Sequence, residues 1–302
     1  MHKSVLLKEC LEYLNIKDNS IIVDCTLGYG GHSSEVLKKI PNGHLYSFDQ
    51  DNEAIYYSKK RLSKIADNFT IIKSNFVNIK KELESLSLSK VDGILYDLGV
   101  SSPQLDVDYR GFSFHKDAKL DMRMDRNQKL SAYNVVNEYS EDKLTSILFN
   151  YGEEKFAKSI SKAIVKSRPI NTTLELVEVI KSAVPMKYKK DHHPARKTFQ
   201  AIRIEVNNEL EVFKKSLQDA LELINVGGRI CVITFHSLED KICKEIFKSV
   251  SVVKPELKSL PIIPKEFEPK YKVVKVISAS SDEVNENNRA RSAKLRVLER
   301  IG

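Results

Sequence analysis

The chain has 302 residues, enough for two domains and for burial of about three quarters of the surface an unfolded chain exposes. Its composition, 41% hydrophobic and 30% charged with 11 Gly and 9 Pro, excludes collagen-like and wholly disordered chains, and no apolar run approaches the roughly 18 residues of a bilayer-spanning helix. Forty-nine Lys and Arg against 41 Asp and Glu leave a net charge of +8, which favours a polyanionic partner.

From Met1 to Tyr13 the charges of Lys3, Lys8, Glu9 and Glu12 interrupt the apolar residues, so the start lacks the apolar stretch of a secretory signal and points to the cytoplasm. The next hundred residues alternate short β-branched or aromatic runs with helical patterns. Strands are predicted at Ile21 to Cys25, His44 to Asp49, Phe69 to Lys73 and Val91 to Asp97, and helices at about Ser33 to Ile40, Asn52 to Ala66 and Asn78 to Leu86. The connections are long enough for right-handed crossovers, which makes a doubly wound α/β sheet the natural reading.

From about Asp108 to His192 the pattern becomes helical. Leu144, Ile147, Leu148 and Tyr151 mark one amphipathic face ended by Gly152; a second helix through Phe156, Ile160 and Ile164 stops at Pro169. A third opens with a capping box from Thr172 to Glu175 and stops at Pro185. Residues 108–192 are therefore expected to form an inserted helical domain, with 1–107 and 193–302 forming the sheet domain. Beyond the insertion, Phe199, Ile202, Val206, Leu210, Phe213, Leu217, Leu221 and Ile224 step by threes and fours, predicting one long helix closed by Gly227 and Gly228. Arg229 to Phe235, Tyr271 to Ser278 and Lys294 to Ile301 bring the strands to seven, with a helix from Ser237 to Ser249 and a proline-rich loop from Ser251 to Lys270. Cys10, Cys25, Cys231 and Cys243 form no C-x-x-C pair, so they read as small apolar core residues and no metal site is expected.

The chemistry is expected at the carboxyl edge of the sheet, where open α/β folds bind their ligands. After the first strand the chain reads DCTLGYGGHS, placing Gly28, Gly30 and Gly31 in a strand-to-helix turn. This points to a nucleoside-type ligand and leaves a dinucleotide open, because the third glycine of that fingerprint is missing. Asp49 ends the second strand, where a carboxylate meets ribose hydroxyls; Asp51 is its rival but is placed to start the next helix. Phe76 follows the third strand, positioned to stack on a base or to pack in the core, and His32 either meets a carboxylate or caps its turn. The fourth strand delivers DLGVSSPQLD, from Asp97 to Asp106, beside the glycine loop, and Pro103 biases Ser102 to an extended backbone. Basic residues gather in MKYKKDHHPARK, from Met186 to Lys197, and in the tail from Asn287 to Arg300, as phosphate contacts or as solvated faces.

These loops resemble those of the ribosomal small-subunit RNA cytosine-N4 methyltransferase family, also known as the MraW family. The matching stretches are HKSVLLKE (2–9), Asp24 to Ser33, DLGVSSPQLD (97–106), RGFSF (110–114), LDMRMD (120–125), HPARKTFQAIRIEVNNEL (193–210), GGRICVITFHSLED (227–240) and NRARSAKLRV (288–297). Ser4 stands where Pro is usual, and Asn288 replaces a usual Pro. The resemblance implies a Rossmann-like seven-stranded methyltransferase sheet with a helical insertion. It further implies transfer of a methyl group from S-adenosyl-L-methionine, leaving S-adenosyl-L-homocysteine, to N4 of a cytidine in the decoding region (P site) of 16S ribosomal RNA. The expected partner is 16S ribosomal RNA, within an assembled small ribosomal subunit or as free RNA; the enzyme is expected to act as a monomer or homodimer and away from membranes. Carried over by position, cofactor contacts are expected at Gly30, Gly31, His32, Asp49, Phe76, Asp97 and Gln104.

Cytosine N4 is a weak nucleophile because its lone pair is delocalised into the ring, so acceptors for its protons and in-line placement matter most. Asp97, Ser101 and Ser102 are the candidates for that positioning. Phosphate contacts are expected from Arg110, Arg123, Arg196, Lys197, Arg289, Arg291 and Lys294; Tyr109, Phe112 and Phe114 either stack on a base or form the core of the insertion. A nicotinamide dehydrogenase lacks support because no catalytic His or Tyr-Lys pair is identifiable. The intact loops disfavour a noncatalytic RNA-binding factor, and Ser-Ser-Pro-Gln departs from the D/S/N-P-P-Y/F loop of DNA amino-methyltransferases.

Overall fold

The computed structural model describes residues 4–100, 108–191, 193–253, 257 and 264–302, and divides into two compact units. The first, Met1–Gly99 with Leu210–Gly302, carries the sheet; the second, Val100–Glu209, is helical.

The first unit begins with α1 (Leu7–Tyr13) and continues as β1 (Ile21–Asp24), α2 (Gly31–Leu37), β2 (His44–Asp49), α3 (Asn52–Leu62), β3 (Phe69–Lys73), α4 (Ile79–Ser85) and β4 (Val91–Asp97). The helical unit supplies α5 (Ala132–Glu138), α6 (Glu141–Gly152), α7 (Ala157–Lys166), α8 (Thr173–Ala183), α9 (Met186–Asp191) and α10 (Arg196–Asn207). The chain returns through α11 (Glu209–Leu223) to β5 (Ile224–Thr234), α12 (Ser237–Ser251), β6 (Tyr271–Ser278), α13 (Ser281–Glu286) and β7 (Lys294–Arg300).

The seven strands form one sheet in the order β3-β2-β1-β4-β5-β7-β6, parallel from β3 through β5, with β7 antiparallel to both its neighbours. Strand periodicity explains the two covered faces. Ile94 and Tyr96 of β4 join Ile230 and Val232 of β5 on the face covered by α4, α11 and α12, where Leu83, Phe213 and Phe247 pack. Leu95, Cys231 and Ile233 point to the opposite face, against Cys10, Val36 and Leu62 of α1, α2 and α3. All four cysteines are buried and free, two in each layer, as expected of small apolar residues. Among the described residues no helix is long and apolar enough to cross a membrane.

The stripe expected as one helix from Phe199 to Ile224 is two. Asn208 adopts the left-handed conformation (φ 50°, ψ 37°) and ends α10, and the Arg203 guanidinium, paired with both Glu209 carboxylate oxygens at 2.8 and 2.9 Å, brackets the break. Phe199, Ala201, Ile202 and Val206 therefore fill the core of the helical unit, while Phe213 and Leu217 belong to the sheet. By its packing the helical unit runs from Val100 to Glu209, beyond the 108–192 expected. Gly227 and Gly228, expected as a helix stop, lie inside β5, which starts at Ile224.

Two motifs of the helical unit find a structural use. Asn207 is buried; its amide nitrogen donates to the Met122 carbonyl at 2.8 Å and its oxygen accepts the Met124 N–H at 2.8 Å, clamping the segment where Met122 has φ 56°. Gly111 has φ 71°, and a Cβ there would stand 2.4 Å from the Lys119 carbonyl oxygen.

Candidate functional site

β1 and β4 are neighbours in the sheet, so the loops leaving their carboxyl ends begin side by side. Asp24 closes β1 and folds its carboxylate back on the glycine loop, accepting the Thr26 N–H at 3.0 Å and the Ser33 hydroxyl at 2.7 Å. The Thr26 hydroxyl accepts the Asp97 N–H at 2.7 Å and lies 3.3 Å from Asp24 Oδ1, so one side chain ties the glycine loop to the end of β4.

The loop itself is held from outside. Gly28 (φ 49°) donates its N–H to Asp49 Oδ2 at 2.9 Å, and its carbonyl accepts the Ser58 hydroxyl at 2.6 Å. Gly30 (φ 74°) precedes α2 in a conformation that favours glycine, and an added Cβ would also stand 3.3 Å from Ser58 Oγ. At Gly31 an added Cβ would stand 2.0 Å from the Ser4 hydroxyl oxygen, so the amino-terminal segment closes that side of the turn.

Asp49 ends β2 as expected, and its other oxygen accepts the Asp51 N–H at 2.9 Å. Burial pushes its carboxyl up to about 7 against the pull of these backbone donors. Asp51 has the capping role foreseen for it: it precedes α3, and its carboxylate accepts the Glu53 N–H at 3.0 Å. Phe76 opens a single 3-10 turn after β3, half-buried, with its ring edge-on to Tyr96 at 5.8 Å between centroids.

His32 and Asp97 meet at the junction of the two loops. His32 Nε2 lies 3.0 Å from the Val5 carbonyl, which only accepts, so this nitrogen carries a proton and Nδ1 faces Asp97 Oδ2 at 3.4 Å. The Asp97 side chain is 27% exposed, yet its Oδ1 is buried with no hydrogen-bond partner among the described residues. Burial pushes its carboxyl up to about 6, opposed by His32 and reinforced by Asp24 and Glu239.

The influence of Glu239 brings in a segment that sequence reasoning left without a role. Glu239 is buried at the start of α12, just beyond the end of β5, and accepts the Phe235 N–H at 2.8 Å. The matching FHSLED stretch following a strand next to β4 was the available signal. Ser101, Ser102 and Gln104 lie outside the described residues.

The expected phosphate contacts divide by burial. Arg110 is corrected: at 3% exposure its guanidinium lies inside the helical unit and donates to the Arg123 and Met124 carbonyls at 3.0 and 3.4 Å, so it is no surface contact. Arg123 pairs with Asp121 at 2.7 Å and donates to the Gln128 carbonyl; Lys197 donates to the Glu153 carbonyl at 2.7 Å. Lys294 stands 3.5 Å from Asp240, while Arg196, Arg289 and Arg291 are exposed. Phe112 is in the helical core; Phe114 packs partly against it and stacks on His193 at 4.4 Å, and Tyr109 is exposed.

Similarity to known proteins covers the whole chain. The model of the MraW methylase family matches residues 1–301. A protein of Exiguobacterium sibiricum called ribosomal RNA small subunit methyltransferase H is 56% identical, the alignment covering 99% of this chain and 98% of that one. A protein of the same name from Mesoplasma florum is 54% identical, covering 99% of each. A solved structure, described as a putative rRNA-methylase from Clostridium thermocellum, aligns over 100% of this chain and 99% of that one with TM-score 0.48 and 14% identity. The full-length family match and relatives above half identity make the chain a member of the MraW methylase family.

Proposed function

We propose that the protein is an S-adenosylmethionine-dependent methyltransferase acting on N4 of a cytidine in the decoding region of 16S ribosomal RNA. The observation that carries this reading is the full-length membership in the MraW family, with relatives whose names state methylation of small-subunit ribosomal RNA. The Asp97 oxygen beside the glycine loop, buried and without a donor among the described residues, supports a cationic nucleoside ligand, because such an oxygen is costly until a positive group reaches it.

Bound there, S-adenosylmethionine supplies an electrophilic methyl group on a sulfonium. Gly30, Gly31, His32, Asp49, Phe76, Asp97 and Gln104 are the residues proposed to hold it. Asp97, mostly ionised at pH 7.5, complements its positive charge, and His32 together with the Thr26 hydroxyl fixes the direction of the Asp97 backbone and side chain. Asp49, already accepting two backbone N–H groups, is proposed to offer its remaining lone pairs to ribose hydroxyls. Phe76 offers an aromatic ring to a flat base. Ser101, Ser102 and Asp97 are proposed to accept hydrogen bonds from the amine and hold the nitrogen in line with the methyl carbon. Placement of this kind contributes several kcal/mol, and the proton leaves to water after the nitrogen becomes cationic.

Transfer of radiolabelled methyl to small subunits lacking the modification, against naked 16S RNA, tests the reading. The expected result is stoichiometric labelling of the subunits. An enzyme that binds S-adenosylmethionine but labels neither substrate would refute it.

A further inference from the structure

We infer that the outward face of α3, together with the Tyr29 ring of the glycine loop, is a contact surface for single-stranded RNA next to the methylated nucleotide. The inference rests on the proposed RNA substrate and extends it to residues outside the basic stretches read in the sequence.

The helix buries Ala54, Ser58 and Leu62 at successive intervals of four, a narrow inner face that leaves its other residues outward. On that outer face Tyr56 and Tyr57 are 55% and 50% exposed, large apolar areas left in water side by side. Tyr57 stacks on Tyr29, which sits between Gly28 and Gly30, with centroids 5.5 Å apart and planes inclined by 21°. Tyr56 meets Tyr57 edge to face at 5.4 Å, and the Lys60 ammonium lies 4.2 Å from the Tyr56 centroid.

Charge complements the rings. Lys59, Lys60, Arg61 and Lys64 are exposed in and just after the last turn of α3, and the Arg61 guanidinium donates to the Tyr29 carbonyl at 3.3 Å. Aromatic faces interleaved with cations are what a polyanion carrying flat bases recognises: bases stack on the rings while phosphates meet the ammonium and guanidinium groups. An acidic partner protein would use the cations but leave the tyrosine faces unexplained. Continuity with the glycine loop places the surface beside the candidate site, as required of RNA flanking a nucleotide delivered there.

The test compares wild type, Tyr56→Ala, Tyr56→Phe and Lys59→Ala/Lys60→Ala in the full chain. Calorimetric titration with S-adenosylmethionine is expected to be unchanged, which establishes that the variants are folded. Fluorescence anisotropy with a labelled oligocytidine is expected to show about tenfold weaker binding for Tyr56→Ala and near wild-type binding for Tyr56→Phe. The lysine variant is expected to have a salt dependence shallower by about 0.7 per phosphate contact removed. With undermethylated small subunits, Tyr56→Ala is expected to raise KM while kcat holds.

If wild type methylates subunits and Tyr56→Ala binds oligocytidine and turns over equally well, the inference fails and the proposed function stands. Weakened affinity for intact subunits with unaltered affinity for naked RNA assigns the face to a ribosomal protein and overturns it. Wild type that methylates no RNA overturns both.

Discussion

Asp97 is held between opposing demands, burial favouring its neutral form and the neighbouring His32 favouring the carboxylate. A carboxyl whose folded value, about 6, exceeds its unfolded value of roughly 4 stabilises the fold fully below pH 4 and loses that contribution as pH rises through 6. The ligand-free protein should therefore gain from Asp97→Asn by an amount that grows between about pH 4 and pH 6 and levels off above, on the order of 1 to 3 kcal/mol, read as Tm by calorimetry at each pH. Cofactor affinity should move oppositely. In wild type it is expected to fall as pH drops below about 6, and in Asp97→Asn to be weaker by about tenfold or more and flat across that range, read by equilibrium titration. An Asp97→Asn variant with undiminished affinity would remove Asp97 from the cofactor site. Thr26→Val deletes the hydroxyl that joins the two loops; weaker cofactor binding without a comparable loss of Tm is its expected signature.

The helices and strands show how far local pattern carries. Short β-branched or aromatic runs placed all seven strands, because strands covered on both faces of a sheet carry apolar residues on each side. The capping box at Thr172 and Glu175 was likewise visible, since it is a local hydrogen-bond pattern. What the pattern concealed is the break at Asn208. A single left-handed residue redirects the chain without interrupting the spacing of apolar residues, and Asn is among the few residues that enter that conformation at modest cost. Asn208→Ala should destabilise the protein by about 1 kcal/mol and Asn208→Gly by no more than a few tenths, measured by denaturant unfolding. Asn207→Ala, which orphans the buried Met122 carbonyl and the part-buried Met124 N–H, should cost about 2 kcal/mol or more in the same experiment. Equal small losses for both positions would contradict the clamp.

For the molecule as a whole, net charge announced a polyanion but not which cations meet it. A buried guanidinium and an exposed one are the same letter, and only packing separates Arg110, which holds two carbonyls, from Arg196 and Arg291 at the surface. Arg110→Ala is accordingly expected to lower Tm and leave the salt dependence of RNA binding unaltered in any folded fraction. Arg196→Ala and Arg291→Ala are expected to keep Tm and to flatten that dependence by about one unit each, measured by titration across salt concentrations. The glycine loop and Asp97 were legible because strand ends in a parallel sheet gather on one edge; the tie through Thr26 and the influence of Glu239 were not, because they depend on which loops become neighbours.

The central claim is methylation of a cytidine amine in small-subunit RNA. Small subunits lacking the modification, incubated with the protein and S-adenosylmethionine and then digested for mass spectrometric mapping, test it most directly. One added methyl on the exocyclic nitrogen of a single decoding-region cytidine is the predicted result. A methyl on a ring carbon, on a ribose or on a different nucleotide would contradict it.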